Sequence, residues 1–211
     1  MRDGRRIRIA YGLGAAALLG LQAGTLHLFG QPLFAASGHI RLWVSDPFSP
    51  DMSQQLLDWY SFSHIIHGFI FFALLKFAAP RLPLGWRCLL AMGVEVAWEI
   101  TENSPAVIQH YREQALAAGY VGDSILNSLS DTTMMALGFF LASRLRARYV
   151  VALAVAFELF TAFMIRDNLQ RHQPDRARSM GTDQGDPSLA GRRPAVEVRG
   201  GQSARAAFQS S

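Results

Sequence analysis

The sequence predicts an all-α fold: a membrane bundle of about five transmembrane helices, with short interfacial helices and a disordered carboxy-terminal tail. Three observations point there. Five apolar runs each approach the ~20 residues that a helix needs to cross a bilayer. Charged residues make up 17 % of the chain, against ~25 % in an ordinary soluble domain, and they gather between those runs. Of the 20 Lys and Arg residues only Lys76 is a lysine, and the arginines fall in short clusters that would orient a membrane protein. That layout excludes nucleic acid as the partner despite a pI near 9.7 and makes the lipid bilayer the first one. A single cysteine, Cys88, excludes an intrachain disulfide and a cysteine-based zinc site.

The runs cover residues 9–29, 63–79, 82–100, 125–145 and 149–165. The first and last lack the polar face that a soluble helical bundle would require. Within the first, Gly20-x-x-x-Gly24 reads as a smooth face for close helix packing. Its basic start followed by an apolar stretch also fits a cleaved signal peptide, the lesser reading because the run is long and Ala35-Ala36-Ser37 is a poor, distant processing site. Gly12-x-Gly14-x-x-Ala17 matches a dinucleotide fingerprint in form only, since no strand precedes it. Between runs, Ser49-Pro50-Asp51 predicts a helix start, with Met52, Leu56, Trp59 and Tyr60 suited to an interfacial helix. Pro105 opens a second short amphipathic segment over about 106–118, ended by Gly119 and Gly122. Trp43, Trp59 and Trp86 read as interface anchors.

Arginine placement predicts the topology. Arg2, Arg5, Arg6 and Arg8 precede the first run; Lys76, Arg81 and Arg87 surround the second connection; Arg144, Arg146 and Arg148 occupy the fourth. If the runs alternate, all three groups lie on one side. The longer connections, 30–62 and 101–124, hold only Arg41 and Arg112 among several acids. The positive-inside rule therefore predicts a multi-pass membrane protein with a cytoplasmic amino terminus and the longer connections facing outward. Two regions follow: residues 1–169 as the membrane domain and 170–211 as a basic tail. The tail holds seven arginines with few apolar residues, a composition expected to be disordered.

An ionisable group in hydrocarbon costs ~2.5–3.5 kcal/mol on insertion scales, so those inside the runs need partners or a purpose. His64 and His67 share a helix face in the second run. Glu95, Glu99 and Glu102 form a stripe in the third, followed by Asn103. Asp123, Asn127 and Asp131 recur every four residues into the fourth, with Gly138 further along a similar face. Glu158 lies in the fifth, closed by Arg166, Asp167 and Asn168. At ~1.5 Å rise per residue most of these reach overlapping depths in the outward half of the bilayer. Convergence in one outward-facing cluster is therefore the expectation.

Three readings fit such a cluster. One is a structural hydrogen-bonded network, with Arg166 neutralising a carboxylate. Another is a site for an anionic lipid or envelope intermediate, with Glu99 or Asp131 as acid or base and Arg166 holding the head group. The third is a metal site built from His and carboxylates. No compact ligand motif such as H-E-x-x-H is present, so neither a metal site nor a cofactor is expected. His27 receives no role, and an enzyme and a non-enzymatic protein both remain open.

Several strings carry a resemblance: DWYSFSHIIHGF (58–69), EVAWEITENSP (95–105), YREQ (111–114), GDSILNSLSD (122–131), ALGFFLA (136–142), FE (157–158) and IRDNL (165–169). In this order they resemble domain-of-unknown-function family 2585, also uncharacterised protein family 0314, of multi-pass inner-membrane proteins from alphaproteobacteria. The resemblance implies that location and no established activity. Family members tend to carry C-x-C-G where this chain has Ala35-Ala36-Ser37-Gly38, which removes any thiol role. They usually continue apolar after IRDNL, where this chain turns to Gln170-Arg171-His172. A shifted reading frame or replaced terminus is the expected explanation, which resequencing the locus tests. A fainter similarity, to VanZ-like membrane proteins, rests on an early-helix His and a later E-x-x-x-E, Asp and Asn pattern. It implies an enzyme or accessory factor acting on an envelope lipid or glycolipid.

Overall fold

A computed structural model describes residues 2–113 and 120–181, the side chains of residues 2, 3 and 166–181 excepted. Among the described residues six helices follow one another: α1 (Arg2–Leu28), α2 (Tyr60–Ala78), α3 (Leu84–Glu102), α4 (Pro105–Arg112), α5 (Ile125–Arg144) and α6 (Ala147–Gly181). Among the described residues there is no strand, only an isolated parallel bridge between Trp43 and Leu57. The chain divides into two units, Met1–Leu169 and Gln170–Ser211. The α6 backbone stays helical through residues 170–181, where the sequence predicts loss of structure; the rest of the expected disordered tail lies outside the described residues.

Among the described residues four helices are long and apolar enough to cross a membrane: Gly4–Leu28, Tyr60–Ala78, Ile125–Arg144 and Ala147–Ile165. α3 has comparable length, 19 residues, but Glu95, Glu99 and Glu102 dilute its apolar character. Burial runs opposite to a soluble fold. Leu13, Leu21, Leu74, Phe77, Val94, Phe140, Val151, Leu159 and Phe163 point outward, while Gln22, His64, Glu95, Glu99, Asn127 and Asp131 are buried. In water this would expose apolar surface on every long helix; against lipid tails it is the favourable arrangement.

Side-chain contacts fix the helix directions. Tyr11 meets Trp86 edge-on and Gly14 abuts Leu89, so α1 and α3 run parallel. Phe72 meets Phe139, and Ser61 bonds Asp131, so α2 and α5 run parallel to each other. The carboxy-terminal ends of α1 and α3 therefore lie with the amino-terminal ends of α2 and α5. Gly68 and Gly138 bring the main chains of α2 and α5 into contact. Near that crossing Ala91, Met92, Met135 and Phe139 form the apolar core.

Several local expectations are corrected. Nothing lies within 4 Å of a Cβ built on Gly20 or Gly24, so the close approach falls elsewhere. Residues 50–58 form turns rather than an interfacial helix, because side chains compete for the backbone: Asp58 Oδ2 accepts from Ser53 N (2.9 Å) and Ser49 Oγ from Asp51 N (3.1 Å). Trp59 is 3 % exposed and donates from Nε1 to the Ser45 carbonyl (2.8 Å), a buried strut rather than an interface anchor. The Pro105 segment is helical only to Arg112, and residues 114–119 lie outside the described residues.

The loop before α2 closes over the bundle end. Ile125 N donates to the Pro32 carbonyl (2.9 Å), Leu126 N to Leu33 (3.2 Å) and Ser124 N to Ser53 (2.9 Å), satisfying donors that the start of α5 leaves free. Gly122, at φ +90°, holds a backbone angle that strains any side chain, and a Cβ there would also displace the ends of Gln31 and Ile108.

A buried carboxylate–histidine cluster at the loop end

The cluster sits within about 10 Å of the helix ends at ~1.5 Å rise per residue. From α2, His64 Nδ1 lies 2.5 Å from Glu95 Oε1 of α3, and His67 Nδ1 lies 3.2 Å from Glu95 Oε2. One carboxylate thus serves two imidazoles. His64 Nδ1 is 3.5 Å from Glu99 Oε1, and its Nε2 is 3.8 Å from Asp131 Oδ2 of α5. Ser61 Oγ donates to Asp131 Oδ1 (3.1 Å), and Ser128 Oγ to Glu99 Oε2 (2.7 Å). Gln22 of α1 donates from Nε2 to Ser128 Oγ (2.7 Å) and accepts from Thr132 Oγ1 (2.9 Å). Four helices are therefore tied through side chains alone.

A second node adjoins the first. Asn103 Nδ2 donates to Asp123 Oδ2 (2.7 Å) and to the Glu99 carbonyl (3.1 Å), while Asp123 N donates to Asn103 Oδ1 (2.7 Å). Tyr120 Oη donates to Asp123 Oδ1 (3.1 Å). Burial pushes the Asp123 carboxyl up to about 7, against the bonds from Asn103 and Tyr120 that favour its ionised form. Burial also raises Asp58, which accepts from Tyr60 N and Ser53 N beside the start of α2. Asn127 Nδ2 donates to the Gln55 carbonyl (2.8 Å), anchoring the loop to α5.

The structure thus brings His64, His67, Glu95, Glu99 and Asp131 together, with Asn103, Asp123 and Asn127 alongside. Glu102 is half-buried near Trp98. Glu158 is exposed on α6, away from the cluster: mid-helix depth does not decide which face a residue occupies. The side chains of Arg166, Asp167 and Asn168 lie outside the described residues, so the expected Arg166 pairing falls there too. Sequence reasoning missed Gln22, Asp58, Ser61, Ser128 and Thr132. Gln22 carried the clearest signal, an amide in an otherwise apolar run, and Ser128 and Thr132 share its partner face at a four-residue spacing.

Two triads have the donor geometry to hold a metal ion: His64, His67 and Glu95, and His64, Glu99 and Asp131, each with donor atoms within 4.8 Å of one another. Among the described residues no lysine or arginine pairs with these carboxylates. Within the network two buried oxygens have no hydrogen-bond partner, Glu99 Oε1 and Asn127 Oδ1, and of these Glu99 Oε1 belongs to a carboxylate beside His64.

An apolar outer face around a buried polar cluster defines a polytopic membrane helix bundle. The chain belongs to the family described as "Protein of unknown function (DUF2585)", whose model matches residues 26–172. It is 52 % identical over 157 residues to a UPF0314 protein of Sphingopyxis alaskensis, covering 74 % of this chain and 84 % of that one. A UPF0314 protein of Rhizobium etli is 46 % identical over 157 residues, covering 74 % and 80 % of the two chains. One of Paracoccus denitrificans is 46 % identical over 140 residues, covering 66 % and 72 %. No solved structure matches.

Proposed function

We propose that this is a bacterial inner-membrane protein with a cytoplasmic amino terminus and five crossing helices, α3 being the fifth, whose polar chamber faces the periplasmic half and binds a ligand. Orientation is supported by Arg5, Arg6, Arg8, Arg81, Arg144, Arg146 and Arg148, all at or near the end opposite the chamber. The observation that carries ligand binding is Glu99 Oε1, an oxygen on a residue only 1 % exposed and without a hydrogen-bond partner. A network built only to satisfy itself would have closed that valence, because an unmet buried acceptor costs ~1–3 kcal/mol.

The test is Glu99→Gln and Asp131→Asn separately, reading folded yield in detergent and envelope integrity in cells. Loss of the envelope phenotype at normal yield supports a ligand site. Loss of yield alone supports a purely structural network and overturns the proposal. A second reading is an enzyme or accessory factor acting on an envelope lipid intermediate at the exposed edge of the cluster, where His67 keeps 33 % of its side chain exposed and meets exposed Trp98 edge-on. With acids lining the chamber, an anionic head group would require a cation between it and them.

A further inference from the structure

We propose that His64, Glu99 and Asp131 bind a divalent first-row transition-metal cation, with Glu95 orienting His64 toward it. The inference rests on the reading of the chamber as a ligand site and names the ligand's chemistry.

Each ligand presents one free donor while a neighbour holds its other polar atom. His64 gives its Nδ1 to Glu95, which leaves the lone pair on Nε2, the nitrogen nearest Asp131 Oδ2. Glu99 accepts from Ser128 Oγ at Oε2, while its Oε1 makes no hydrogen bond and lies 3.5 Å from His64 Nδ1. Asp131 gives Oδ1 to Ser61 and keeps Oδ2 directed at His64. Metal ligands are held in this manner: the outer partner fixes tautomer and orientation and raises the ligand's basicity. The holding continues outward, since Gln22 fixes Ser128 and Thr132 fixes Gln22.

Charge and spacing agree. One donor atom from each of His64, Glu99 and Asp131 lies within 4.8 Å of the others, on side chains that are all more than nine-tenths buried. Bonds of ~2.0–2.2 Å to a common ion bring donors to roughly 3–4 Å, a small contraction. Three buried carboxylates, Glu95, Glu99 and Asp131, surround His64 without a lysine or arginine partner among the described residues, and a dication offsets that excess. An imidazole among the donors favours Zn²⁺, Mn²⁺ or Fe²⁺ over Mg²⁺ and Ca²⁺, which prefer all-oxygen shells. The partly exposed His67 and the buried Glu95 would border the ion's open side.

The full-length protein, purified in detergent without chelator, is equilibrated with Zn²⁺ or Mn²⁺, freed of excess and assayed by mass spectrometry for metal. About one equivalent per chain is expected in the wild type. His64→Gln and Glu99→Gln should each lose at least about tenfold in affinity, and Ser128→Ala, which removes the bond that holds Glu99 Oε2, roughly tenfold. Loading the wild type with Co²⁺ reads the site without any variant, through visible bands that a nitrogen–oxygen ligand set produces. Absence of stoichiometric metal and of those bands in folded wild type overturns the proposal, as does uptake unchanged by His64→Gln and Glu99→Gln. If metal is absent while Glu99→Gln still abolishes the envelope phenotype at normal yield, the metal is refuted and the ligand chamber stands. If metal binds but neither Glu99→Gln nor Asp131→Asn alters the phenotype, the metal stands and the ligand-dependent function falls.

Discussion

Gly68 of α2 and Gly138 of α5 interlock the main chains of their helices: a Cβ on Gly68 would lie 2.1 Å from the Met135 carbonyl oxygen, and one on Gly138 2.1 Å from that of Ile65. Both obstacles are backbone, so neither can rotate away. The crossing sets the register that places His64 and Ser61 beside Asp131.

Gly68→Ala and Gly138→Ala should therefore each destabilise the bundle by about 3 kcal/mol or more by forcing the helices apart. Gly20→Ala and Gly24→Ala, which meet open space, should be neutral or stabilise by ~0.5–1 kcal/mol. Thermal unfolding in detergent, read by size-exclusion chromatography, separates the two pairs.

Stability should fall as pH rises through the range set by Asp123. Its folded carboxyl titrates at about 7, above the ordinary 3.8, so the folded state holds the proton more tightly than the unfolded chain. The resulting stabilisation is complete below about pH 4 and is lost as pH climbs through about 7. Asp123→Asn, whose amide still accepts from Asn103 and can donate to Tyr120, should flatten the melting temperature between pH 5 and pH 8 relative to wild type.

Two polar residues within spans should behave in opposite ways. Gln22→Ala removes the acceptor of Thr132 Oγ1 and a donor to Ser128 and opens space between α1 and α5, an expected loss of ~2–4 kcal/mol. Glu158→Gln, on the exposed face of α6 and outside the network, should not destabilise the bundle. Denaturation of both variants in the same detergent checks the contrast.

Trp59→Phe should loosen the loop before α2 by ~1 kcal/mol, through loss of the bond to the Ser45 carbonyl. Limited proteolysis of residues 40–58 should quicken while the helices stay protected. Equal protection of that loop in the variant would refute a role for the bond.

The helical class and the polar stripes were legible because each depends on one segment at a time. Apolar runs of spanning length define the long helices, and periodicity puts His64 with His67 and Glu95 with Glu99 on common faces. Arginine clustering supplied the topology expectation for the same local reason. The loop at 50–58 was misread because a proline after serine resembles a helix start, whereas Asp58 and Ser49 draw off the backbone donors that a helix would use.

Tertiary structure alone decided which faces meet. Periodicity relates residues on one helix to each other, but the rotation of that helix against its neighbours comes from side-chain packing and close crossings such as Gly68 with Gly138. That rotation admits Gln22, Ser61 and Ser128 to the cluster and leaves Glu158 outside it. It also leaves Glu99 with one oxygen bonded and the other open, a distinction between two atoms of a single side chain that no linear pattern encodes.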